Sequence, residues 1–238
     1  MRNGQRIGVV IPALDEEEAI GKVIADIPGF ADAIVVADNG SRDGTAEMAR
    51  AAGAIVVRED EAGYGAACLA GLAVLPPVDI VVFLDGDYSD YPQDLAQLVD
   101  PIVAGKADLV IGSRILGGAE PGALTPQQVF GNWLATRLIA IIWGERFTDL
   151  GPFRAIRFEA LAGLDMADRD FGWTVEMQVK AARAGLACHE VPVRYRKRIG
   201  TSKISGTIRG TIKAGLKILS VIGWHAVAAG SKNAGRGD

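Results

Sequence analysis

Five apolar runs of strand length recur in the first half of this chain: "RIGVVIPAL" (6–14), "AIVVAD" (33–38), "AIVVRE" (54–59), "DIVVFLD" (79–85) and "ADLVIGSR" (107–114). Helix-length segments separate them. Runs apolar on both faces must be buried on both faces, and parallel strands need helical crossovers. The fold class that satisfies both demands is α/β: a Rossmann-like, mostly parallel sheet covered by helices on both sides. The expected helices are "EEEAIGKVIADI" (16–27), with acids in its first turn near the positive end of the dipole, and "SRDGTAEMARAAG" (41–53), with Ser or Asp as N-cap and Gly53 as C-cap. Segment 63–75 reads as a helix opened by Gly63 and Gly65, and 93–104 as another. Beyond 115 the pattern loosens into a Gly/Pro-rich loop. Helices near 127–143 and 173–184 and a strand "LACHEVPVRYR" follow, and "TDLGPFRAIRFEAL" between them has no assigned element.

With 238 residues, 49% of them hydrophobic and 23% charged, the chain can bury a full core and is not of disordered composition. Cys68 and Cys188 match no metal-ligand spacing and read as buried thiols of a cytoplasmic protein. His189 and His225 stand without a partner motif, which argues against a zinc site or a Ser-His-Asp triad. No signal peptide is expected, because the first strand begins almost at once. No run reaches the ~20 apolar residues of a membrane span; the longest, Ile218 to Ala229, is too short. Residues 194–217 hold eight basic side chains and no acid within a chain of net charge −4. That stretch is a solvated face, an anion site or a membrane-facing surface. Nucleic acid is not an expected partner, since aromatic interleaving is sparse and the rest of the chain is acidic.

In open parallel sheets, ligands sit beyond the carboxyl ends of the strands. The residues at those ends are Asp15, Asp38, Asp85 with Asp87, and Ser113 with Arg114. One such Asp would be an ordinary helix cap, but four polar strand ends on one rim make a site. In Asp85-Gly86-Asp87, two carboxylates share a turn that needs the glycine between them. Unneutralised, they repel and one titrates high. A hard divalent cation, Mg²⁺ or Mn²⁺, resolves this, and such ions take one or two carboxylates plus phosphate oxygens. A nucleoside diphosphate is the fitting partner. Asp90, nearby, has no assigned role. A dinucleotide oxidoreductase is excluded: "PALDEEE" follows the first strand where glycines belong, and Cys68 replaces the third glycine after Gly63-x-Gly65. An aspartyl phosphatase has only D-G-D in its favour. A catalytically silent nucleotide-sugar-binding scaffold would have a broken acid pair, whereas both acids are present.

The ordered series "VVIPALDEEEAI", "VVADNGSRDGT", "GYGAACLAGL", "FLDGDYSDYPQDL", "LVIGSR", "DLGPFRAI" and "RKRIGTSKISG" resembles the family 2 glycosyltransferases of GT-A fold. Within that family it is most similar to the polyprenyl-phosphate sugar synthases. The resemblance spans about residues 6–217. It implies a domain over 1–203, with a nucleotide-sugar-binding half (1–114) and an acceptor half (115–203). An amphipathic C-terminal segment (204–229) and a disordered tail (230–238) complete the chain. The donor is expected to be a nucleotide-diphosphate sugar, UDP favoured over GDP, and the transfer metal-dependent and inverting. Pro12, Leu14, Asp15, Glu17, Asp38, Gly65, Asp85 and Gly86 would bind the donor, and Asp85 and Asp87 the metal. Asp87, Arg114 and Asp149 would serve catalysis. Asn39 stands where relatives often have a second Asp, and Pro152 where they have glycine. Glu176 matches a family acid on a cleft-facing helix, or is a polar position on an amphipathic one.

The acceptor decides whether a base is needed. A phosphate monoester, with a second pKa near ~6, is already a nucleophile at neutral pH; a hydroxyl requires a base. The resemblance assigns Arg198, Ser202 and Lys203 to an acceptor phosphate, so a polyprenyl phosphate at the cytoplasmic membrane face is the first expectation. A hydroxyl acceptor with Asp149 as base is the alternative. Ile204, Ile208, Ile212 and Leu216 repeat every four residues beside Arg209, Lys213 and Lys217. This stripe suits either a peripheral membrane contact through 204–217 or a packed or homodimeric helix. Larger relatives continue into transmembrane helices; here a peripheral or soluble protein is expected.

Overall fold

The computed structural model describes residues 1–200 and 215–227. Its sheet has seven strands: β1 (Ile7–Ala13), β2 (Ala33–Asp38), β3 (Ile55–Arg58), β4 (Ile80–Phe83), β5 (Leu109–Ser113), β6 (Arg154–Arg157) and β7 (Cys188–Pro192). Their order is β3-β2-β1-β4-β6-β5-β7. All pairs are parallel except the two that β6 makes, with β4 and with β5. The chain runs outward from β1 to β3, then returns to place β4 on the other side of β1. That reversal opens a crevice beyond the ends of β1 and β4.

The helices follow from the crossovers: α1 (Ile20–Asp26), α2 (Thr45–Ala51), α3 (Tyr64–Val74), α4 (Leu95–Val103), a four-residue α5 (Arg114–Gly117), α6 (Pro126–Trp143), α7 (Phe158–Leu164) and α8 (Trp173–Ala184). A ninth, α9, covers residues 215–227. Alternate strand residues feed two apolar layers. Ile7, Val9 and Ile11 of β1 join Val82 of β4 and Leu84 just beyond it beneath α1 and α4. Val10, Val81 and Phe83 face α6 and α8, where Trp173, Val175, Met177 and Val179 are buried. This two-sided burial is what the apolar runs demand.

Two local expectations need correction, and one unassigned segment is a strand. Helix α1 begins at Ile20, not Glu16, and has no acid in its first turn. Glu16 to Ala19 form a turn in which Ala19 N and Ile20 N both donate to the Glu16 carbonyl, and the acids are used elsewhere. At α2 the N-cap position is Gly44 rather than Ser or Asp, with Asp43 Oδ1 accepting from Thr45 N at 3.1 Å. Finally, "RAIR" is the antiparallel β6, which its charges disguise. Arg154 is fully buried there because the carbonyls of Leu150, Gly151 and Thr174 accept from its guanidinium.

Of the amphipathic segment 204–229, the described part is α9. It is docked, with Ile222 and His225 buried and Lys217 Nζ 2.9 Å from Asp168 Oδ2. Residues 201–214, with Ser202 and Lys203, lie outside the described residues, as does the 230–238 tail. No described helix is long and apolar enough to cross a membrane.

Candidate active site

A cavity of about 280 Å³ lies at the carboxyl ends of β1 and β4. Its lining comes from six stretches of the chain. Pro12 lies near the end of β1, and Leu14 and Glu16 follow it; Asn39 follows β2; Gly63 and Tyr64 open α3; Asp85, Gly86 and Asp87 follow β4. Asp170, Phe171 and Arg198 close it from the second half. Among the expected donor and metal residues, Pro12, Leu14, Asp85, Gly86 and Asp87 thus converge with Arg198, the residue expected at an acceptor phosphate.

The carboxylates after β4 are three rather than two. Asp85 Oδ1 accepts from Tyr64 Oη at 3.2 Å, and Asp87 Oδ1 from Ser89 N at 2.9 Å. Asp90, 1% exposed, turns inward so that its Oδ2 accepts from Asp85 N at 3.3 Å. Its Oδ1 is buried and has no partner among the described residues. Burial and then the charge of Asp87 push the Asp85 carboxyl up to about 7; burial, Asp85 and Asp87 push Asp90 up as well. The backbone turn is not made by Gly86: the left-handed residue is Tyr88 (φ 64°), pinned by its hydroxyl to Asp26 Oδ2 at 2.7 Å. Gly86 serves close packing instead, since a Cβ there would lie 3.3 Å from the Ala13 Cβ.

Arg114 and Asp149 sit apart from this lining as a closed pair. Arg114 N and Nε donate to Asp149 Oδ2 at 2.8 Å, and Nη2 to Oδ1 at 2.7 Å. Asp149 is fully buried, its own N–H bound to Glu190 and its carbonyl to Gln178.

Four expected donor residues have other work in the structure. Asp15, in the left-handed region at φ 53°, accepts from Arg42 N; Glu17 accepts from Gly44 N; Asp38 accepts from Ser41 N and lies 3.3 Å from Arg58 Nη1. Gly65 is a packing glycine, because a Cβ would stand 1.9 Å from the Asp168 carbonyl oxygen. The first amides of α3 are therefore not open to a phosphate: Gly65 N donates to Asp170 O and Ala66 N to Arg169 O. Glu176 is likewise structural, accepting from Ala167 N and Asp168 N and pairing with Lys180 at 2.8 Å.

Residues that the sequence pattern did not single out complete the cleft. Glu16 bonds Arg198 Nη2, and Arg198 Nη1 lies 3.2 Å from Asp87 Oδ2. Asn39 fixes the loop before α3, its Nδ2 donating to Glu59 O and Glu61 O and its Oδ1 accepting from Gly63 N at 2.8 Å. Segment 194–199 is stitched to 87–94: Arg194 pairs with Asp94, Arg196 covers the Tyr88 ring at 3.4 Å, and Ile199 N donates to Asp87 O. A run of four acids, Asp15 to Glu18, signals Glu16 only as one of four; contact with Arg198 selects it.

A switch-point crevice edged by paired acids and an arginine, in a seven-stranded mostly parallel sheet, defines a glycosyltransferase of GT-A fold. A family model, Glycosyl transferase family 2, matches residues 8–164, and the chain belongs to that family. It is 41% identical to an uncharacterized glycosyltransferase of Mycobacterium tuberculosis, over 92% of this chain and 99% of that protein. A dolichyl-phosphate hexose transferase of Haloferax volcanii is 36% identical over 83% and 86%. Among solved structures, it resembles the M. tuberculosis glucosyl-3-phosphoglycerate synthase in complex with Mn²⁺, UDP and glucosyl-3-phosphoglycerate. That likeness has a TM-score of 0.76 at 27% identity, covering 94% of this chain and 80% of that one.

Proposed function

We propose that this enzyme moves a hexose from a UDP-sugar to the phosphate of a polyprenyl phosphate, with inversion at the sugar. The observation that carries the acceptor is the commitment of Asp149. Both of its oxygens are held by Arg114 inside the protein, so it is not poised as a base. A hydroxyl acceptor would need one, whereas a phosphate needs only cationic positioning. Arg198 supplies that at the cleft, and the similarity to a dolichyl-phosphate hexose transferase points the same way.

The donor set suits a divalent cation. Among the described residues no three acids, histidines or cysteines converge as a closed metal cage, so the set is the pair Asp85 and Asp87 at the cavity, with Asp90 behind them and its Oδ1 without a partner among the described residues. All donors are hard oxygens, the class that Mg²⁺ and Mn²⁺ take. Asp85 and Asp87 would hold the ion, which when bound offsets the charge on the departing diphosphate. Pro12, Leu14 and Tyr64 would flank the nucleotide. The UDP and Mn²⁺ of the similar solved structure support the same pairing here.

A peripheral membrane contact at the inner face fits the acceptor. Helix α6 exposes Phe130, Trp133 and Ile141 at 61%, 56% and 74%, and no acid occurs between 121 and 144. Such a stripe suits an interfacial helix. A second reading, transfer to the hydroxyl of a small phosphorylated acid, is favoured by the bound product of the similar solved structure.

A transfer assay decides between them. UDP-glucose, UDP-galactose and GDP-mannose are each supplied with Mn²⁺ and either undecaprenyl phosphate or 3-phosphoglycerate. The expected result is a UDP-dependent lipid product whose anomeric configuration is opposite to the donor's. Transfer to 3-phosphoglycerate alone would overturn the lipid reading.

A further inference from the structure

Among the described residues, Arg198 is the one basic side chain lining the cleft, and it lies between two carboxylates. Its Nη2 donates to Glu16 Oε1, and its Nη1 lies 3.2 Å from Asp87 Oδ2. Its Nε is buried and meets no acceptor among the described residues. Glu16 is itself fixed. It is 8% exposed, its N donates to Thr45 Oγ1 at 2.7 Å, and its carbonyl receives the first amides of the turn into α1. The anchor is therefore rigid, while Asp87 is a group the metal would claim.

We propose that Glu16 is a positioning residue for the acceptor: its carboxylate holds the Arg198 guanidinium in the cleft so that the remaining Nη hydrogens meet an incoming phosphate monoester. This rests on the reading of Arg198 as the acceptor-phosphate ligand. Without Glu16, the nearest anchor for Arg198 is Asp87, and a guanidinium that forks onto that carboxylate spends its donors there. Two effects of neutralising Glu16 oppose each other. Removing a negative charge would draw an anion in, whereas losing the anchor would misplace the donors that bind it. The sign of the change in phosphate affinity separates them. Burial of Glu16 against Arg198 favours loss of the anchor, because a planar fork binds only when correctly oriented.

Calorimetric titration of geranyl phosphate, a water-soluble isoprenyl monophosphate, into the full chain reads this sign directly. Glu16→Gln should weaken binding roughly tenfold, the scale of one charge-assisted hydrogen bond. Arg198→Gln should do the same, and the double variant should lose no more than either alone. In turnover, Glu16→Gln should raise the acceptor KM by more than the donor KM. Unchanged or tighter geranyl phosphate binding by Glu16→Gln overturns the positioning role, as does a further loss in the Arg198→Gln background. Should Glu16→Gln melt below assay temperature, Glu16→Asp, one methylene shorter, must weaken binding; full retention overturns the proposal. If the unmodified protein binds 3-phosphoglycerate but not geranyl phosphate, the lipid reading falls, and the same variants titrated with 3-phosphoglycerate decide the role of Glu16. Binding of neither overturns both.

Discussion

Arg114 grips Asp149 with its backbone N, Nε and Nη2, all within 2.8 Å, in a pair of which only 13% of the Arg and 1% of the Asp side chain meet solvent. A carboxylate held this way orients a cation rather than a substrate hydroxyl. Its removal leaves Arg114 buried and uncompensated, which costs about 3–5 kcal/mol in comparable pairs. Asp149→Asn should therefore lower the urea midpoint sharply, and activity should fall with the folded fraction. Arg114→Gln added to Asp149→Asn should recover part of the stability. A general base would behave otherwise: turnover would collapse while stability and donor affinity stayed intact.

The acid cluster predicts a pH dependence of metal binding. Asp85 titrates near 7 in the folded chain, against an ordinary value of 3.8. Its folded pKa is raised, so the folded state holds the extra proton between those values. Metal-free stability should then decline as pH climbs from about 4 to about 7. Cation and proton compete for the carboxylate, so Mn²⁺ affinity should rise about tenfold per pH unit below 7 and level off above it. Melting temperatures with and without Mn²⁺ from pH 5 to 8 test both. A Mn²⁺-induced shift of equal size at every pH would contradict the arrangement.

Asn39 has a precise requirement for its amide. Its Nδ2 feeds two carbonyls, Glu59 O and Glu61 O, so Asn39→Asp would set a carboxylate against both. The cost should be about 1–3 kcal/mol for the lost donor and the stranded acceptors. Because the same side chain seats Gly63 at the cavity, UDP affinity should fall as well. Thermal shift with UDP and Mn²⁺ measures both, and a variant of native stability and native UDP affinity would refute the anchoring role.

The difference between what was legible and what was not follows from the kind of interaction involved. Strands β1 to β5 declare themselves because residues such as Val9 and Val10 are apolar on successive faces, a pattern that only two-sided burial explains. The rim acids Asp85 and Asp87 are visible for the same reason, as charges abutting a buried strand. Strand β6 is hidden because Arg154 is buried by long-range carbonyl acceptors, which have no local signature. Glu16 and Glu17 are adjacent acids with unrelated partners, Arg198 and Gly44, and only the fold separates them. Gly65 looks like a phosphate-loop glycine, yet Asp168's carbonyl, a hundred residues onward in the chain, is what excludes a side chain there.

That contact makes its own prediction. Gly65→Ala places a methyl 1.9 Å from a backbone oxygen, so either α3 or the 168–170 loop must shift. Overpacking of this kind costs about 1–3 kcal/mol. The loop carries Asp170 and Phe171 into the cavity, so donor affinity should drop together with the urea midpoint. A wild-type midpoint in Gly65→Ala would show that the loop is not packed there.

His225 offers a test of how α9 is held. Arg183 Nη1 donates to His225 Nδ1 at 2.8 Å, which requires that nitrogen unprotonated. Burial, then the charges of Arg183 and Lys180, pull the His225 pKa below its ordinary 6.5, with Glu176 opposing them. A lowered folded pKa means the unfolded chain binds the proton more readily. The contribution to stability is therefore complete at higher pH and is lost as pH falls below about 6.5. Docking of α9 should weaken over that window. Trp224, 68% exposed with its ring 4.7 Å from the imidazole, reports the change by fluorescence. The expected transition has a midpoint below 6.5, vanishes in Trp224→Phe and flattens in His225→Asn. A midpoint above 6.5 would mean that protonation strengthens the contact, and the geometry of a guanidinium facing an acceptor nitrogen would then be wrong.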